Sequence, residues 1–201
     1  MRSIPEDTTG SSPGNREKIL NTALHLFTTQ GFHATPTSQI CKEAGISTGT
    51  LFHYFPDKNT LFESLYLTIK REMAEVIRSH DDQNLEPRTR LEGCFQGFVT
   101  WGVSNPEKFL FVEQFCHSPS ISEAVKTEAH AEFSWMTQIA EEAIHEGKLR
   151  DLPLEFYSVM VFQILFGVIK LINIGITGLS SKELIRSGLD LIWDQSKSEE
   201  S

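Results

Sequence analysis

Apolar residues recur at three- and four-residue intervals along most of the chain, the spacing of helix faces, and this predicts an all-α protein. Ile19, Ala23, Leu26 and Phe27 place a first helix over about Arg16 to Gln30, with Gly31 as its stop. Thr35 is the expected cap of a second helix, about nine residues long, with Pro36 at its first position. Ile40, Cys41 and Ala44 form its inner face, and Gly45 ends it. Ser47 caps a third short helix, in which Leu51 and Phe55, four apart, face inward and Thr48, Thr50 and His53 face outward. Two short helices meeting at Gly45 predict helix-turn-helix geometry. Pro56 and Asp57 mark a restart, after which Leu61, Leu65, Ile69, Met73 and Val76 stripe a long helix suited to joining two domains.

The polar segment "SHDDQNLEPR" closes that helix, and further helices are expected at 87–104, 106–116 and 120–146, with Pro106 and Pro119 as punctuation. Residues 153–174 are apolar on nearly all sides, so this helix needs enclosure or a partner chain, and "SSKELIRSGLDLIWDQ" reads as an amphipathic end helix. The expected organisation is a loose tail at 1–14, a three-helix module at 15–62 that includes the start of the connecting helix, and a larger helical domain at 63–201.

Composition agrees with a globular chain: 39% of its 201 residues are apolar, with 14 Phe, 3 Trp and 8 Pro. Cys41, Cys94 and Cys116 form no close-spaced set, and their odd number predicts reduced thiols in the cytoplasm. The opening "MRSIPEDTTGSSPGN" has no apolar run and reads as a tail rather than a leader. The longest apolar stretch is interrupted by Gln163, Lys170 and Asn173, which favours a buried helix over a membrane span. A net charge of −9 argues at first against a nucleic-acid partner. Its distribution changes that inference: residues 1–63 hold five Lys/Arg against six Asp/Glu, while residues 64–201 hold thirteen against twenty-one. A near-neutral module reaches phosphates through a few placed donors and helix N-termini.

The ordered string "ALHLFTTQGFHATPTSQICKEAGISTGTLFHYFPDKNTLF" resembles the N-terminal DNA-binding domain of the TetR family of transcriptional regulators. The resemblance implies that Thr48 to Phe55 is the recognition helix, entering the major groove of operator DNA, and that the preceding helix crosses the backbone. It makes Thr48, Thr50 and His53 groove-facing residues and Thr35, Thr37, Tyr54 and Lys58 phosphate contacts, with Ser38 placed for either. Phe52 stands where the family often has tyrosine; it has no hydroxyl for a phosphate, so its ring is expected to pack.

The resemblance also implies a homodimer on a palindromic operator, its recognition helices about one DNA turn apart, roughly 34 to 36 Å. Val159, Gln163, Gly167, Leu184, Gly188 and Leu191, on the last two helices, are the expected interface residues. It further implies a small hydrophobic or aromatic effector in the larger domain, for which Phe98, Trp101, Phe115, Trp135 and Phe162 are the expected lining. Repression relieved by the effector is the expected action; an activator of the same fold, or a helical protein-binding adaptor, is the alternative. No cofactor, metal or catalytic residue is expected: Glu113, Cys116, His117, Glu141 and His145 are dispersed, and no phosphate loop, nucleophile elbow or H-E-x-x-H motif occurs.

Overall fold

A computed structural model describes residues 14–175 and 178–196, with side chains as far as Leu191; all but Gly14 of the expected tail lies outside the described residues. Among the described residues every regular element is an α-helix. The first three form the N-terminal module: α1 (Asn15–Gln30), α2 (Thr37–Ala44) and α3 (Thr48–Tyr54). Ile19, Ala23, Leu26 and Phe27 of α1 meet Ile40 of α2 and Leu51 and Phe55 at α3, all nearly or wholly buried. The turn between α2 and α3 depends on Gly45, whose φ of 66° lies in the left-handed region that a side chain disfavours. Its N–H reaches the carbonyls of Cys41 and Lys42, closing α2.

Helix α4 (Lys58–Arg78) starts at Asp57, whose Oδ1 accepts from the Thr60 N–H at 2.7 Å. It is the spine of the molecule. Leu61, Phe62, Leu65, Tyr66, Ile69, Met73 and Ile77 are buried along it, while Val76, expected in that stripe, is only half-buried. Phe62 is the joint between the two parts of the chain: its ring lies 5.2 Å from Phe27 and 4.6 Å from Phe32 on one side, 5.4 Å from Phe111 and 5.0 Å from Phe115 on the other.

Around α4 are packed α5 (Pro87–Ser104), α6 (Pro106–Phe115) and α7 (Glu123–Ala131), followed by α8 (Ser134–His145), α9 (Leu154–Ile174) and α10 (Ser181–Ser196). Gly93 lets α5 approach the end of α4, since a Cβ there would stand 2.4 Å from the His80 carbonyl oxygen. Arg90 grips Asp81 through two hydrogen bonds of 2.9 and 3.1 Å and reaches Glu142 at 2.9 Å, tying the α4–α5 connection to α8.

The helix expected at 120–146 is two helices, broken at Glu132 and Phe133. Tertiary contacts accompany the break. Arg71 of α4 pairs with Glu128 and Glu132 at the end of α7, and Phe133 turns inward over α4 instead of continuing the turn.

Candidate functional site

Helix α3 is anchored from below and open above. Leu51 and Phe55 are buried, whereas Thr48 and His53 are exposed, as the four-residue spacing of the inner pair requires. Ser47 caps the helix by accepting from the Thr50 N–H at 3.1 Å. Thr50 is half-buried, and its hydroxyl is joined to the Ser47 hydroxyl at 2.8 Å, so it serves the helix start rather than standing free toward a groove. Phe52, expected to pack, is 44% exposed. It lies four residues from Thr48 and so on the same outer face.

Thr37 and Ser38 occupy the first turn of α2, where unpaired backbone N–H groups favour an anion. Thr35 does not join them. It is fully buried, and its hydroxyl donates to the Gly31 carbonyl at 2.8 Å with the Leu26 carbonyl also in reach at 3.3 Å. A phosphate has no access to it, and Pro36 rather than Thr35 occupies the cap position. The threonine fastens the α1–α2 connection to the end of α1. Tyr54 is half-buried with its ring 5.3 Å from that of His53. Lys58, in the first turn of α4, is half-buried with its ammonium 4.4 Å from the Phe32 ring centre, and this partial desolvation lowers its pKa. Thr37, Ser38, Thr48, His53, Tyr54 and Lys58 therefore remain on accessible parts of the module.

The aromatic residues expected around an effector fall into three groups. Phe98, Trp101 and Phe162 are neighbours, with Phe98 centred 6.4 Å from Trp101 and 5.9 Å from Phe162. Phe115 belongs to the Phe62 joint. Trp135 lies apart, under Arg78 at 5.3 Å, with its indole N–H donating to the Glu132 carbonyl at 3.1 Å.

Lys70 belongs to none of the motifs that single out the other residues. This residue is 4% exposed and points among rings, its ammonium 4.4 Å from the Phe133 centre and 5.3 Å from Phe162. A cation over a desolvated ring gains ~2 kcal/mol, whereas removing an ammonium from water without a counter-ion costs several kcal/mol. Burial accordingly pushes the Lys70 pKa down to about 8. Tyr66, one turn earlier, has its phenol pushed up to about 12 by burial, and the Cys116 thiol is raised for the same reason. The sequence signal was present: Phe62, Tyr66, Lys70, Met73 and Ile77 share one face of α4, so a lysine interrupts an apolar stripe.

On the far side, α9 presents Phe156, Val159, Met160, Gln163 and Ile174 to solvent, and α10 presents Leu191, with Val159 57% and Leu191 59% exposed. At Gly167, among the described residues, nothing beyond its own stretch of helix lies within 4 Å of the space a Cβ would take. Gly188 differs from expectation. It is buried against Ile164 and Val168 of its own chain, where a Cβ would meet their methyl groups at 3.0 and 3.1 Å, and Leu184 also packs on the chain's own core. Gly188 thus lets α10 lie close on α9. By length and composition α9 could cross a membrane, with 28% of its apolar window buried. Of the dispersed polar residues, Glu113 pairs with Lys170, and Glu141 and His145 edge a surface depression between α8 and α9.

Comparison with known proteins agrees with this architecture. Residues 19–65 match the model of bacterial regulatory proteins of the tetR family, and residues 66–198 match a tetracyclin repressor-like C-terminal domain. The chain is 31% identical over 118 residues to the HTH-type transcriptional regulator BetI of Yersinia pestis (strain Pestoides F), covering 56% of this chain and 60% of that protein. It is 42% identical over 85 residues to the HTH-type transcriptional regulator LmrA of Bacillus subtilis (strain 168), covering 42% of this chain and 44% of that one. A crystal structure described as a tetR family transcription regulator from Shewanella sp. PV-4 superposes with a TM-score of 0.84 at 28% identity, covering 92% of this chain and 99% of that one.

Proposed function

The chain belongs to the TetR family of bacterial transcriptional regulators, and on that premise we propose that it is a cytoplasmic, homodimeric repressor released from a palindromic operator by a small hydrophobic or aromatic effector. The observation that carries the reading is the aromatic joint at Phe62. One end of the ring series touches Phe27 and Phe32, which support the DNA-facing module, and the other touches Phe111 and Phe115 in the larger domain. A ligand that repacks the interior rings changes the seat of α1 and α4, and with it the attitude of α3. Two polar links run beside the joint: His25 bonds Glu107 at 2.8 Å, and the Gln114 amide donates to the Thr28 carbonyl at 3.3 Å. Such control requires the effector to bind the two arrangements with different affinity.

On the operator, Thr48 and His53 face the groove, Phe52 offers an apolar ring of the kind that contacts a thymine methyl, and Thr37, Ser38, Tyr54 and Lys58 hold phosphates. The exposed apolar stripe of α9, with Leu191 of α10, supports a partner subunit there, since a monomer would leave it in water. Selection from randomised duplexes at low salt, combined with sedimentation, tests the reading. A two-fold sequence should be enriched, bound by a dimer. No enrichment sinks the DNA-binding reading, and one chain occupying the full palindrome sinks the dimer.

A further inference from the structure

Lys70 is a buried cation that no carboxylate pairs with among the described residues. Among the described residues its ammonium makes no hydrogen bond or ion pair, although other cations nearby are matched: Arg71 with Glu128 and Glu132, Lys108 with Glu72, and Lys170 with Glu113. It does not extend to bulk water, being 4% exposed. Cys116 and Tyr66, the acidic groups around it, are held neutral by burial. His130 does not supply a charge either: burial lowers its pKa, and Lys70 lowers it further. The ammonium is flanked by Phe133 and Phe162, and Phe162 leads on to Phe98 and Trp101.

We propose that Lys70 anchors an anionic head group, such as a carboxylate or sulfonate, on an effector whose apolar or aromatic body lies among Phe162, Phe98 and Trp101. The inference deepens the effector reading above and rests on it. An organic anion supplies the counter-charge that the fold withholds, and the surrounding rings exclude water and so strengthen the pair. A neutral ligand of the same shape leaves the ammonium uncompensated. Charge at one end and rings along the rest thus select an amphiphilic anion over both a hydrocarbon and a cation.

A matched pair of fluorescent probes tests this: 8-anilinonaphthalene-1-sulfonate and N-phenyl-1-naphthylamine, which differ by the sulfonate. The wild-type dimer should bind the sulfonate with one site per chain and at least about tenfold more tightly than the neutral amine, as a charge-assisted contact in a dry site implies. Lys70→Met should abolish that preference while still binding the amine, and Lys70→Arg should keep it. The wild-type comparison of the two probes is a readout independent of how any variant folds. Equal affinity of the wild type for both probes, or an unchanged preference in Lys70→Met, overturns the proposal. Binding of the amine alone overturns it while leaving the effector reading intact; binding of neither probe removes both.

Discussion

Helix α4 carries two lysines, twelve residues apart, whose ammonium groups each lie 4.4 Å from the centre of a phenyl ring: Lys58 over Phe32 in the DNA-binding module, and Lys70 over Phe133 in the larger domain. The contact is the same and the consequence is not. Lys58 is half-buried at a helix start, so its charge stays partly hydrated and available to a phosphate. Lys70 is enclosed by α4, α9 and the α7–α8 break, and among the described residues its charge has no ion-pair partner. The lesson is that a ring beneath a cation does not set the cost of the charge; the water removed around it does.

Neutralising the two lysines should therefore separate stability from DNA affinity. The largest effect is expected from Lys70→Met, which should raise the stability of the effector-free protein at pH 7 by about 3 kcal/mol in urea unfolding. The sign follows from a folded pKa of about 8 below an ordinary value of 10.5. Between these values the unfolded chain binds more protons, so wild-type stability rises with pH across that window. The advantage of the variant should be full below pH 8 and gone above about 10.5. A gain that does not shrink in alkali would mean that packing rather than charge was relieved.

Thr35 and Thr48 extend the comparison to uncharged groups within one module. Thr35→Val should destabilise by about 1–2 kcal/mol, because the Gly31 carbonyl loses its buried donor. Thr48→Val should leave the melting temperature alone and alter operator selection instead, as the groove-facing role proposed for this exposed residue implies. Equal losses of stability in both would erase the distinction drawn between them.

Lys58→Met should leave stability nearly unchanged and weaken every operator sequence alike. Loss of the proposed phosphate contact in each subunit should lower the slope of log affinity against log salt by about 0.9 per contact. A sequence-dependent loss would instead make Lys58 a base reader. The smallest effect is expected at the exposed His25–Glu107 pair between α1 and α6: His25→Ala should cost less than about 1 kcal/mol. Its useful readout is the effector's influence on operator affinity, which should diminish if this link carries part of the coupling.

Much of the module was legible because its determinants are local. Ser47 and Asp57 start helices through bonds to residues three positions on, and Gly45 ends one through its own backbone angles. Thr35 misled because a threonine before a proline resembles a cap until the end of α1 is placed against it. The expected single helix at 120–146 failed for a related reason. Helical spacing persists across Glu132 and Phe133, and only α4, some sixty residues earlier, supplies the Arg71 and Lys70 contacts that accompany the break. Gly188 and Leu184 looked equally suited to a partner helix, yet Gly188 is taken up by the chain's own α9 and Leu184 packs on the chain's own core.

The sequence alone therefore determined that this chain is helical, where most helices begin and end, and which side of α3 faces outward, since caps and periodicity act within a turn or two. It also placed a lysine on the apolar face of α4. Tertiary structure decided what that lysine meets, because Phe133, Phe162 and Cys116 reach it only when distant helices pack, and desolvation is a property of the packed assembly rather than of any segment.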